Sequence, residues 1–212
     1  MADEVLATDG RVIGERATAT RRRLLDATME LLRRDGVLDL KVVDITREAG
    51  AAPATFYQYF SDLDAAILAL SETAIDDEEP LVEHLIPPWS TADDVARARA
   101  FVDAYGQYWS DHDAVLIVRN LKADAGDADF RSVRSRANLL LLRHMADMVT
   151  VGQEAGRVTT TLDPFTTAAA MMAMLDRLLA YQNELRRRGS SRSAQRETLA
   201  TILFQTLSGI RT

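Results

Sequence analysis

The side chains spaced for chemistry in this chain suit recognition of an anion better than bond making. Arg16 and the run Arg21-Arg22-Arg23 precede an apolar stripe of Leu24, Thr28 and Leu31, and Lys41 follows one loop later. Arginine can clamp a phosphate with two donors, which positions a protein on nucleic acid without reading bases. An arginine run is equally what a solvated helix face looks like, so its neighbours must decide. Catalytic constellations are missing from the sequence. His84, His112 and His144 lie far apart, and there is no cysteine to act as nucleophile, thiolate ligand or disulfide partner. No glycine-rich phosphate loop, His-Glu-x-x-His or nucleophile elbow occurs. Asp76-Asp77-Glu78-Glu79 is a dense carboxylate run, but four successive side chains on a helix point around its circumference and cannot converge on one ion. The expectation is a protein that is not an enzyme, with no cofactor and no metal.

The neighbours that decide are Val42 to Phe60, VVDITREAGAAPATFYQYF. Val42, Ile45 and Ala49 recur at offsets of three and four, which predicts a short helix, and Gly50 supplies an easy turn. Pro53 suits the first turn of a second short helix. Two short helices around a glycine turn form a helix-turn-helix, whose second helix enters the major groove. On spacing alone, a plain helical hairpin in an all-α domain remains the alternative. Phe56 and Phe60, four apart, are expected in the core with Leu31, Leu38, Leu40 and Ile45. Thr55, Gln58 and Tyr59 are spaced to form an exposed stripe. Thr46 and Ala52 complete the candidate DNA contacts of this segment.

DITREAGAAPATFYQYF resembles the DNA-binding signature of the tetracycline-repressor (TetR/AcrR-type) family. Asp44, Ile45, Ala49, Gly50, Thr55, Phe56, Tyr57, Tyr59 and Phe60 fall on its pattern. The resemblance covers roughly residues 20 to 70. It implies that Tyr57 and Tyr59, or their neighbours, meet the DNA backbone. It also implies that a ligand-sensing body follows and that the last two helices pair two copies of the chain. Departures are Lys41, Ala52, Ala54, Asp62 and Leu63, where the family usually has Thr, Ser, Gly, Ser and Lys. Lys41 offers a charged phosphate contact in place of a hydroxyl. Asp62 still caps the next helix. Leu63 removes a charge that often touches phosphate, and Asp62 and Asp64 add repulsion beside it.

The elements that must carry these residues follow from composition and periodicity. A chain of 212 residues, 47% hydrophobic and 27% charged, is an ordinary globular protein large enough for a small domain joined to a larger one. Its net charge is −7, yet residues 11–60 hold nine Arg or Lys against seven Asp or Glu, a modest basic footprint in an acidic protein. Residues 1–15 read as a mobile tail. No apolar run nears twenty residues and no signal peptide is evident, so the expected location is cytoplasmic. About nine helices and no credible strand predict an all-α fold, with a three-helix head at 1–60 and a helical body at 61–212. In the body, helices are expected at 62–76, 92–111, from Val115 to Leu121, 129–154, 163–188 and 194–210. A Pro-rich linker is expected at 80–92.

Trp89, Phe101, Tyr105, Trp109, Met145, Met148, Met171 and Met174 concentrate in the body helices. Singly, each reads as core; together they suit a mainly apolar pocket, with Asn120 and Asn183 as groups to orient a ligand. The expected effector is small and hydrophobic or aromatic. Leu175, Leu179, Leu199, Leu203, Phe204 and Leu207 lie on helices apolar on more than one side, which suits burial by a partner, and the family resemblance implies that they form a homodimer interface. A dimer carries two heads, so its DNA partner would be a near-palindromic double-stranded operator. The functional expectation is a ligand-responsive transcriptional regulator, a repressor released by its effector. The alternative is a helical small-molecule-binding protein whose DNA-binding function has weakened or been lost.

Overall fold

A computed structural model describes residues 14–211. The tail expected at residues 1–15 therefore lies almost wholly outside the described residues. The described chain is helical, in the order α1 (Glu15–Asp35), α2 (Val42–Glu48), α3 (Pro53–Tyr59), α4 (Leu63–Asp76), α5 (Val95–Asp124), α6 (Ala128–Arg136), α7 (Leu139–Glu154), α8 (Pro164–Ala180), α9 (Gln182–Arg187) and α10 (Arg192–Ser208). Two 3-10 turns, Glu79–His84 and Ala92–Asp94, lie between α4 and α5. The all-α reading holds.

Packing divides the chain into two compact units. One contains the described residues up to Ala74 together with His112–Arg134. Its core joins Leu24 and Leu31 of α1 to Ile45, Phe56 and Phe60, and continues through Ile67 to Val115, Val118 and Phe130. Local signals operate as the sequence suggests. Gly50 takes φ 62° in the turn, and Pro53 opens α3. Asp62 caps α4, its carboxylate accepting the Ala65 N–H at 2.8 Å. Leu40 is buried, but Leu38 is 94% exposed in the loop after α1 and does not close the core.

The other unit contains Ile75–Asp111 and the described residues from Ser135 onward. Here α7 packs on α8 and α10, and Leu141, Met145 and Met148 of α7, Leu175 of α8 and Leu203 and Phe204 of α10 are all buried. Asp163 caps α8 through the Thr166 N–H at 2.7 Å.

Three helix boundaries differ from the expectation. The break at Ser110-Asp111-His112-Asp113 does not exist, and α5 runs unbroken for 30 residues. Asp111 accepts a hydrogen bond from the Gln107 amide one turn earlier, and Trp109, Val115 and Leu116 are buried, so packing overrides weak propensity. Conversely, the single helix expected over 129–154 breaks at Asn138, which has φ 61°. Asparagine is among the few residues that tolerate this left-handed conformation. Its backbone N–H, freed from the helix, donates to Glu78 Oε2 at 2.8 Å. The third break falls at Tyr181, which separates α8 from α9 within the expected 163–188 helix. In the linker, Trp89 is buried and its indole N–H donates to the His84 carbonyl at 3.0 Å.

Candidate DNA-binding head and effector body

The turn between α2 and α3 is closed by the Ala51 N–H donating to the Thr46 carbonyl at 2.8 Å. Phe56 and Phe60 point inward, with ring centroids 5.3 Å apart. That inward pair leaves Ala54, Tyr57 and Gln58 exposed on α3, with Ala52 and Pro53 at its start. The stripe expected from spacing is corrected by this geometry. Thr55 and Tyr59 are half-buried, and Tyr59 packs against the head core, so Gln58 alone of the three is exposed.

Two further candidates change role. Thr46 is 1% exposed and its hydroxyl donates to the Val43 carbonyl at 3.2 Å, so it braces α2 and offers no surface to DNA. Arg21 is half-buried, with its guanidinium 5.2 Å from the Phe60 ring centroid, and burial lowers its pKa from the usual arginine value. It serves packing through a cation–π contact. Arg16, Arg22, Arg23 and Lys41 are exposed. Sequence reasoning passed over Arg47, exposed at the end of α2 and paired with Asp44 at 3.0 Å. The repulsion expected from Asp64 is offset within the same unit, because Lys122 Nζ stands 2.5 Å from its carboxylate.

In the second unit, Trp89, Phe101, Tyr105, Trp109, Met145 and Met148 are all buried. Phe101 stacks on Tyr105 with centroids 5.8 Å apart. Met171 and Met174 are half-buried on α8, whereas Asn183 is exposed on α9. The buried cluster is less apolar than its residue types suggest. Tyr105 Oη donates to Asp176 Oδ1 at 2.5 Å, and Tyr108 Oη donates to buried Glu78 at 2.9 Å. Burial, then the Asp176 charge and hydrogen bond, push the Tyr105 phenol well above its ordinary pKa, so it stays a donor. Neither carboxylate was legible as part of this cluster, because each comes from a segment distant in sequence from its tyrosine.

Asn120 lies in the first unit and accepts a hydrogen bond from Arg119 Nε at 3.2 Å. Arg119 itself is 2% exposed, has no ion pair among the described residues, and leaves Nη1 without a hydrogen-bond partner. A buried charge lacking a counter-charge destabilises the fold that holds it. Replacing Arg119 with Met is therefore expected to raise the stability of the ligand-free protein by about 1–3 kcal/mol. A lower midpoint in urea denaturation would show that the guanidinium is a favourable structural element.

The six residues expected at a dimer interface are also reassigned. Leu175, Leu179, Leu199, Leu203, Phe204 and Leu207 are all buried within one protomer, four of them fully, by packing among α7, α8 and α10. They cannot be the surface that meets a second copy. The outward apolar residues of these helices are Phe165 on α8 and Ile202 on α10, with Tyr181 just beyond α8. Among the described residues there is no cluster of three or more candidate metal-binding side chains, and no helix is long and apolar enough to cross a membrane.

A helix-turn-helix formed by α2 and α3, within an otherwise helical chain that continues for about 150 residues, defines a class of DNA-binding regulators. Residues 24–70 match the bacterial regulatory proteins of the tetR family, and residues 81–212 match the tetracyclin repressor-like C-terminal domain. The chain belongs to the tetracycline-repressor family, whose members are transcriptional regulators and not enzymes. Among solved structures, the FadR regulator of Bacillus subtilis in complex with stearoyl-CoA superposes with a TM-score of 0.65 at 16% identity, covering 90% of this chain and 99% of that one. A transcriptional-regulator structure from Saccharomonospora viridis in complex with choline gives 0.67 at 22%, covering 86% and 94%. The FadR of Bacillus halodurans gives 0.66 at 15%, covering 92% and 97%. These likenesses concern the fold. No curated protein sequence matches the chain significantly.

Proposed function

We propose that the protein is a ligand-responsive repressor that binds a near-palindromic operator as a homodimer and is released by a small effector. The observation that carries this reading is the outward face of the head: Tyr57 and Gln58 are exposed on α3, as are Arg22 and Arg23 on α1 and Lys41 just before α2. Residues 1–60 act as the DNA-binding head and 61–212 as the effector and pairing body, in the cytoplasm where DNA is accessible. The arginines and Lys41 hold phosphate, while Gln58 is placed to read base edges. Pairing uses the outward faces of α8 and α10.

The effector is a compact, largely apolar molecule held by the aromatic and methionine residues of the body, with polar groups met by Tyr105 and Tyr108. The acyl-CoA and choline bound by the two relatives are consistent with a body of this fold accepting varied small molecules. A dimer presents two recognition helices at one separation, so a change of body packing passed through α4 spoils simultaneous engagement. The effector must prefer the arrangement that does not fit DNA, since equal affinity for both shifts nothing. A second reading, a small-molecule binder with a weakened head, is favoured by Leu63, which carries no charge to meet a phosphate.

Selection of bound DNA from a genomic pool separates the two readings, and enrichment of a near-palindrome supports the repressor. Reciprocal titration then tests the switch. A coupling of roughly 1–3 kcal/mol lowers operator affinity about 5–150-fold when effector is bound, and lowers effector affinity by the same factor when operator is bound. A tightly bound body ligand that leaves operator affinity unchanged is not the effector. Failure of the protein to enrich any DNA favours the second reading.

A further inference from the structure

A cavity of about 180 Å³ opens at the junction of α5, α8, α9 and α10, within the second unit, and none of the aromatic cluster lines it. Its apolar wall includes Val102, Leu178, Leu185 and Leu199. The mouth carries Arg192 and Arg196, and the Gln195 amide bridges it by donating to the carbonyls of Ser190 at 2.9 Å and Gln182 at 3.3 Å. A cavity of about 150 Å³ admits benzene, so this one has room for a single ring or a chain of about six carbons.

Gly106 lines the same cavity from the interior of α5. Its backbone is not left-handed, and a Cβ placed on it would meet Leu179 Cδ2 at 3.8 Å, an ordinary contact. Neither conformation nor packing requires a glycine here, and glycine within a helix is less stable than alanine. What the missing side chain does is keep the space open.

The arginines at the mouth are short of counter-charge. Arg192 and Arg196 stand four apart on one face of α10, a like-charged spacing that is mildly unfavourable unless an anion lies between them. The Arg192 side chain makes no hydrogen bond or ion pair among the described residues. Arg196 uses Nε on Asp103 at 3.2 Å, and its two Nη groups make none. Nearby acids are engaged elsewhere, Glu184 with Arg188 at 2.7 Å and Glu197 with Arg99 at 2.6 Å. Residues 182–196 hold five arginines against one glutamate in a chain of net charge −7.

We propose that this cavity binds a small apolar carboxylic acid as its carboxylate, the hydrocarbon body beside Gly106 and the carboxylate between Arg192 and Arg196. Shape and charge choose the class together. Inorganic phosphate has nothing to place against the leucines, and a neutral hydrocarbon leaves the arginine pair unbridged. Charge-assisted hydrogen bonds to guanidinium are the stronger kind, so the acid is preferred over its neutral isostere.

Calorimetric titration of the full-length protein tests this without DNA, so the result is independent of the repressor reading. The probes are benzoate and hexanoate, each paired with its amide. At least one carboxylate is expected to bind ten or more times tighter than its amide. The double substitution Arg192→Gln, Arg196→Gln should abolish that preference while circular dichroism stays unchanged, as expected for two exposed side chains. Gly106→Ala should weaken binding, and Gly106→Leu should eliminate it. The proposal is overturned if neither carboxylate binds, if acid and amide bind equally, or if the preference survives in the double variant. It is equally overturned if the double variant changes only the sedimentation behaviour, which assigns the arginines to contact with a second copy.

Discussion

Phe204→Glu is expected to unfold the protein. The ring is fully buried in one protomer, 5.9 Å from the Trp89 ring. A carboxylate there loses its hydration and gains no partner, a penalty of several kcal/mol added to the lost packing. Together these exceed about 4 kcal/mol, against a total stability of about 5–15 kcal/mol for a typical protein. Leu203→Glu, also fully buried, should behave alike. Urea denaturation and sedimentation measured together make the result decisive. Folded monomers would mean that Phe204 belongs to an intersubunit seam after all. Ile202→Glu, on an exposed position of the same helix, should leave the fold intact and weaken pairing of copies.

Neutralising the exposed cations of the head should have the largest effect on DNA. With Arg22, Arg23 and Lys41 changed to Gln, the three phosphate contacts proposed for them would be lost at once. The slope of log affinity against log salt should shrink by about 0.9 for each, ~2.7 in all. Near 0.15 M salt, the same relation gives a loss of roughly a hundredfold on operator and unrelated DNA alike. Gln58→Ala should differ, weakening operator binding and leaving unrelated DNA nearly unaffected. Fluorescence anisotropy at several salt concentrations distinguishes these patterns. An unchanged slope in the triple variant would remove these three side chains from the phosphate contacts.

The sequence made the head's architecture legible because its signals are local. Gly50, Pro53, the Phe56 and Phe60 pair and the Asp62 cap each act within a few residues, and each is found where expected. Facing was less legible. Gln58 and Tyr59 are adjacent, and only the rotation imposed by packing Phe56 and Phe60 inward decides which of them is covered. The body depended still more on distant partners. Apolar spacing on α8 and α10 identified Leu175, Leu203 and Phe204 as buried, but periodicity cannot say whether the cover is α7 or a second chain. The Tyr105–Asp176 and Tyr108–Glu78 bonds join residues 71 and 30 positions apart, and no periodic pattern encodes such a pairing. The cavity beside Gly106 was likewise hidden, since it is assembled from four helices.

The enclosure of Leu175, Leu199, Leu203 and Leu207 within a single copy bears on how gene dosage is felt. A chain that completes its own core can finish folding on leaving the ribosome, before it meets another copy. Folding and pairing are then separate equilibria, unlike those of an obligate dimer whose protomer has no stable form alone. Below the pairing constant, the concentration of paired chains falls with the square of copy number. Halving expression would then cut the operator-competent population about fourfold while the amount of folded protein falls only by half. A repressor of the proposed dimeric kind would thus be silenced by dilution at cell division, with every molecule still intact.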